Sequence, residues 1–192
     1  LWAVDISAPD RKIQESAVGW LKALGRRTQV AIEPFYILGP VETRAPKATS
    51  SGKLADLRLP AEIALQKWIS HIRCPGLIAP SILAPAGLYL RADIDALNRY
   101  ALKNRADLIV LTTHARKGFS RFWLGSFAET LLLHSKVPVL LVNPKAKAPK
   151  EIRHIFFPTN LTNDSKTVFK KVIGLSKALN ARILLFNKIE YY

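Results

Sequence analysis

Apolar and polar positions along the chain form short blocks that alternate between strand-like and helix-like spacing. The runs "LWAVD" (Leu1–Asp5), "DLIVLTT" (107–113) and "VPVLLV" (Val137–Val142) indicate strands, and the second is almost continuously apolar, as in a buried parallel strand. Between the first two runs, apolar residues recur at helical spacing up to Leu24, and Gly25 is a natural helix stop. The alternation predicts an α/β fold with a doubly wound, mostly parallel five-stranded sheet and helices on both faces.

The spacing also predicts bounds for the elements between these strands. Pro34 is expected to break or bend the second strand, since proline cannot donate to a ladder. Ligands of doubly wound sheets bind beyond the carboxyl ends of the strands, which makes Asp5 and the loop Thr112–Gly125 the candidate site. The other predicted elements are strand 28–38, helix 60–72, strand 76–83 and helix 91–105.

The C-terminal part repeats the pattern of the N-terminal part. Residues 152–190 read as strand, loop, helix and strand, and a gap-free alignment places Asn160 on Asp5 and Gly174 on Gly19. This predicts a first domain at 1–145 and the start of a second, incomplete domain at 146–192, with one long domain as the alternative. A lone strand-helix-strand unit buries its faces poorly, so we expect it to pack on a neighbour.

The loop between the strand at 107–113 and the next helix combines features of an anion site. Backbone amides at a helix start and the helix dipole attract anions, and Gly125 allows close approach of a ligand. Ser126 is first of all a candidate helix cap, since Glu129 completes the capping-box spacing, and a cap can share the site with a phosphate contact. Arg116 adds positive charge, and Asp5 suits either a ribose or magnesium contact or a cap on the next helix.

At this point the sequence resembles a known family. The stretch "ADLIVLTTHARKGFSRFWLGSFAETLLLHSKVPVLLV" (106–142) is similar to the last strand-loop-helix-strand of universal stress protein domains. The likeness extends to Val4, Asp5 and Ser7 and to "FPTNLT" (157–162) in the second copy. It implies a Rossmann-like fold of the adenine nucleotide α-hydrolase type and a cytoplasmic stress-response module without classical catalysis. It also implies a homodimer, or pairing of tandem domains within the chain, through Val137–Val142.

The family's nucleotide-binding branch has the motif Gly, two residues, Gly, nine residues, Gly, then Ser or Thr. On this chain these positions hold Thr112, Ala115, Gly125 and Ser126, so two of the three glycines are replaced. By resemblance, Asp5 approaches the nucleotide. The same likeness puts Ile37, in the second strand, near the adenine. ATP or another adenine nucleotide, with Mg²⁺, is therefore the cofactor to test.

Composition keeps two other functions open and argues against several. The net charge of +15 fits a nucleic-acid-binding protein, although the basic residues are scattered. A weak ATP-hydrolysing enzyme is the other alternative, yet no GxxxxGK[ST] loop and no general base with a nucleophile stands out. No apolar run is long enough for a membrane span. The single cysteine, Cys74, is interpreted as structural, and the four histidines lack the spacing of a metal site.

Overall fold

The computed structural model describes residues 1–6, 11–26, 28–38, 54–84, 89–113 and 126–187. The strands of this part are β1 (Trp2–Ala3), β2 (Pro34–Ile37), β3 (Ser81–Leu83), β4 (Ile109–Thr112), β5 (Val139–Val142), β6 (His154–Pro158) and β7 (Arg182–Phe186). Its helices are α1 (Arg11–Gly25), α2 (Leu54–Ile69), α3 (Leu90–Lys103), α4 (Ser126–His134) and α5 (Asn163–Leu179).

The first five strands form one parallel sheet in the order β3-β2-β1-β4-β5. The chain therefore runs outward from β1 to β3, returns to the centre and runs outward again through β4 and β5. This order creates a topological switch point between β1 and β4, which is where open α/β sheets bind ligands. The predicted α/β class with a doubly wound five-stranded parallel sheet is confirmed.

Neighbouring residues of a strand point to opposite sides of the sheet. Since both sides carry apolar residues, helices cover both faces. On one face, Trp2 packs among residues of α1 and α2 and lies 5.5 Å from the ring of Trp68. On the other face, Phe35 packs with Ile94 of α3 and Leu131 of α4. Each face thus has its own apolar core, and the sheet is buried between them.

Three of the elements whose observed bounds differ from the predicted ones contain a proline or follow one directly. β2 begins at Pro34, so the second strand is broken there and not bent, and upstream of it Ile32 makes an isolated bridge to Leu77. β3 is likewise restricted to the residues after Pro80, which has no amide hydrogen for a ladder. The prediction was also wrong for α2, which begins at Leu54 and contains Pro60, because helix-forming neighbours extend the helix upstream of the proline.

The C-terminal part folds as a separate two-stranded parallel sheet with one helix. Thr162 caps α5 by accepting a hydrogen bond from the backbone of Ser165 at 3.4 Å, and the helix ends at Asn180 in the left-handed conformation. The order strand, helix, strand agrees with the predicted repeat. The division of the chain into two domains stays a prediction.

The segment that joins β5 to β6 runs against the first helix. Residues 143–153, here called the connecting segment, bring Ala148 so close to α1 that a Cβ at Gly19 would lie 2.6 Å from its methyl carbon. At the matching position of α5, a Cβ on Gly174 would meet nothing within 4 Å. The glycine of α1 therefore makes room for the connecting segment.

Candidate functional site

The carboxyl ends of the three central strands bring the predicted site residues to one edge of the sheet. β1 pairs in parallel with β2 on one side and β4 on the other. Continuing both registers past β1 puts Asp5 level with Ile37 at the end of β2 and with Thr113 directly after β4. Three neighbouring strands thus present these positions side by side at the switch point, with Thr112 one residue below.

The burial of these residues separates the edge from the core. Asp5 is half-buried, as a carboxylate at the mouth of a site would be. Ile37 is also half-buried and packs against the core on the α3 and α4 face. Thr112 is buried as the last residue of β4, so its β-branched side chain suits a strand packed on both faces. The first position of the glycine motif therefore lies within the sheet.

The end of β4 is held to β5 where the loop departs. The amide of Thr113 donates to the carbonyl oxygen of Val142 at 3.0 Å, and its hydroxyl lies 3.4 Å from the same oxygen. This bond extends the pairing of the two strands by one residue beyond β4. The departure point of the loop is thereby fixed relative to β5.

The helix that follows the loop begins at Ser126, whose side chain is exposed. Its carbonyl accepts a hydrogen bond from the hydroxyl of Thr130 at 2.7 Å, and Glu129 adds a carboxylate to the first turn. The other predicted loop residues, Ala115, Arg116 and Gly125, lie outside the described residues, as does Ser7.

A buried asparagine that sequence reasoning missed positions the far end of α4. Asn98 of α3 donates to the carbonyl oxygen of His134 at 2.9 Å and accepts from the amide of Lys136 at 2.9 Å. The side chain is buried between the two helices. Its helical spacing from Ile94, on the apolar face of α3, was the signal for a buried amide in need of backbone partners.

A second polar cluster that the sequence did not reveal lies at the opposite, amino edge of the sheet. The carboxylate of Glu33, before β2, accepts hydrogen bonds from the hydroxyls of Ser81 and Tyr100, whose oxygens are 2.8 Å apart. Burial, and then the hydrogen bond to Glu33, raise the pKa of Tyr100 above its usual value. The cluster ties α3 to the starts of β2 and β3 by side-chain contacts.

Two further classes of site are absent from the described ranges. Among those residues, no helix combines the length and apolarity needed to cross a membrane. The same part of the chain contains no group of three histidine, cysteine, aspartate or glutamate side chains arranged to hold a metal ion.

The part of the chain that contains the five-stranded sheet matches a known protein family. The model of the universal stress protein family matches residues 3–143, which span the five-stranded sheet. The comparison with curated proteins found no match.

Two solved structures are similar in outline. One, the crystal structure of hypothetical protein PH0823, has 18% identity and a TM-score of 0.46 over 74% of this chain and 92% of its own. The other, a universal stress protein from Archaeoglobus fulgidus, has 17% identity and a TM-score of 0.45 over 73% of this chain and 94% of its own.

Proposed function

Because the chain belongs to the universal stress protein family, we propose that it is a stress-response module that binds an adenine nucleotide at the switch point of its sheet. The observation that carries the proposal is the parallel register that aligns Asp5 with Ile37 and Thr113 across three strands. The carboxylate of Asp5 would accept from the ribose hydroxyls, and Ile37 would lie against the adenine. We further propose a cytoplasmic location for this activity, as the resemblance implies.

The start of α4 supports the phosphate end of the same proposal. The amides of a helix's first turn have no partners within the helix and favour anions, and Ser126 adds an exposed hydroxyl there. Mg²⁺ would accompany the phosphates and not occupy a site of its own. Ala115 and Arg116, by resemblance, belong to the loop that encloses them.

The test is calorimetric titration with ATP, with and without Mg²⁺. Replacing Asp5 with Asn should weaken binding about tenfold, because a charge-assisted hydrogen bond is lost. Asp107→Asn is the matched control, since this exposed carboxylate lies at the start of β4, at the opposite edge. Ala115→Gly restores a motif glycine and should tighten binding. Absence of binding by both the parent chain and Ala115→Gly would refute the nucleotide proposal.

We also propose that β5 pairs with a second copy of the chain. Within the described residues β5 is an edge strand, paired only with β4, and Val139, Leu140 and Leu141 are half-buried apolar residues. An apolar edge strand is a template for strand addition. Supporting this, the carbonyls of Pro138 and Val142 accept from β4, so the amides of alternate residues such as Val139 face the open edge.

A proline at that edge tests the pairing. Val139→Pro removes the outward amide, and Val139→Ala removes similar side-chain volume while keeping the amide. Sedimentation velocity should find a dimer for the parent and the alanine variant and a monomer for the proline variant. Equal mass for all three proteins would contradict pairing through β5, and the tandem unit would then be the candidate partner.

A further inference from the structure

Two adjoining cavities lie between α1 and the turn that follows α2, at the amino edge of the sheet. Their volumes are about 630 Å³ and about 430 Å³, and Lys22 and Arg73 line both. Arg26 and Cys74 line the larger, and Trp68 lines the smaller. We call the two together the amino-edge cleft. It is remote from the switch point, because the carboxyl ends of parallel strands all lie at the other edge.

The rim of the amino-edge cleft is positively charged. Lys22, Arg26 and Arg73 are all exposed, and in the part of the chain that the structure describes none of them forms an ion pair with a carboxylate. Glu15 is the one carboxylate along the described lining. The last carbonyls of α1 add a partial negative charge, which three full positive charges outweigh. The cleft therefore favours an anion that carries more than one charge.

The floor of the amino-edge cleft is apolar. Cys74 is 9% exposed and Trp68 is 8% exposed, so each presents only a small apolar surface to the cavity. Burial raises the pKa of the Cys74 thiol, and the nearby charge of Lys22 only partly opposes the effect. The thiol is thus protonated at neutral pH and contributes a wall, not a nucleophile.

We propose that the amino-edge cleft binds a small organic phosphate monoester. The guanidinium groups of Arg26 and Arg73 would hold the phosphate oxygens, because their planar donors match that geometry, and Lys22 would add a third charge. The organic part would lie against Cys74 and Trp68. The volume of each cavity is within the range of small-molecule sites, and a dianion offsets the excess charge of the rim.

The single cysteine of the chain reports directly on occupancy of the cleft. Phenyl phosphate, inorganic phosphate and phenol are titrated separately at alkaline pH, where part of the thiol is ionised, while alkylation of Cys74 by iodoacetamide is followed by mass spectrometry. Phenyl phosphate should slow alkylation in a saturable way and inorganic phosphate should do so more weakly, whereas phenol should have no effect. Tryptophan fluorescence of the same samples gives a second readout, through Trp68.

Charge variants assign the binding to the amino-edge cleft. Lys22→Ala with Arg73→Ala should raise the Kd for phenyl phosphate at least about tenfold, while Lys170→Ala with Lys171→Ala, on the exposed surface of α5, should leave it unchanged. Asp5→Asn should also leave it unchanged, which separates this site from the switch point. Equal protection by phenol, or an unchanged Kd in the cleft variant, would overturn the proposal, and so would the absence of a response in both readouts.

Discussion

A double-mutant cycle on Gly19 and Ala148 measures how firmly the connecting segment is held against α1. A methyl group at position 19 would lie 2.6 Å from the methyl carbon of Ala148, whereas carbon atoms in ordinary contact are about 3.5–4.0 Å apart. The segment or the helix must therefore shift by about 1 Å. Such overpacking costs about 1–3 kcal/mol, and the gain from alanine in a helix interior offsets about 1 kcal/mol of it.

We therefore expect Gly19→Ala to lower the free energy of unfolding by about 1 kcal/mol, where the same change at an open helical site would raise it. Adding Ala148→Gly removes the opposing methyl group and should restore stability, with a coupling of about 1–2 kcal/mol between the two sites. The cycle cancels the separate effect of each change on the unfolded chain.

Urea unfolding followed by tryptophan fluorescence measures the free energy of unfolding of each variant in the cycle. Trp2, Trp20 and Trp68 all belong to the apolar core against which α1 packs. Gly174→Ala is the control for helix propensity, because its methyl group would meet nothing within 4 Å. Circular dichroism should find α5 stabilised by about 1 kcal/mol or less. A coupling near zero between positions 19 and 148, with Gly19→Ala as stabilising as the control, would refute the contact.

Three further predictions concern elements that hold the sheet edges. Gly76→Ala should destabilise the protein by about 2–4 kcal/mol in urea unfolding, because Gly76 has φ +80 and a Cβ would lie 2.1 Å from the carbonyl oxygen of Val30; a loss below about 1 kcal/mol would contradict this. Tyr100→Phe should remove a loss of stability at high pH, because the pKa of Tyr100 is raised in the folded state. The contribution of Tyr100 to the free energy of unfolding is complete below its ordinary pKa of about 10, and it is lost as the pH rises through the folded-state pKa. Parallel curves of stability against pH for both proteins would argue against it. Asn98→Ala should cost about 2–4 kcal/mol by leaving two backbone groups unpaired, while Asn104→Ala, which removes an exposed hydrogen bond of the same kind, should cost less than about 1 kcal/mol.

The order and type of the elements along the chain follow from local sequence patterns. A short continuous apolar run such as the one before Thr112 is typical of a buried parallel strand. Gly25 ends α1 at the position that the spacing predicted. The bounds were less well predicted next to prolines. Pro34 starts a strand and Pro60 lies inside a helix, since the effect of a proline depends on which neighbours its missing amide would have faced.

Part of the candidate site could be predicted, because local patterns locate the ends of strands. Asp5 follows a strand, and any carboxyl end of a parallel sheet is a candidate edge. That Asp5 is level with Ile37 and Thr113 depends on strand order and register, which link residues far apart in the chain and leave no local pattern.

The contacts at the amino edge depend on the three-dimensional packing of the chain. Glu33, Ser81 and Tyr100 lie in three separate parts of the chain, and nothing in their local sequence connects them. Lys22 and Arg73 looked like scattered surface charge, yet the packing of α1 beside the turn after α2 puts both on one cleft. Local periodicity reports which side of an element is buried, but the partner across a packing contact is set by the path of the whole chain.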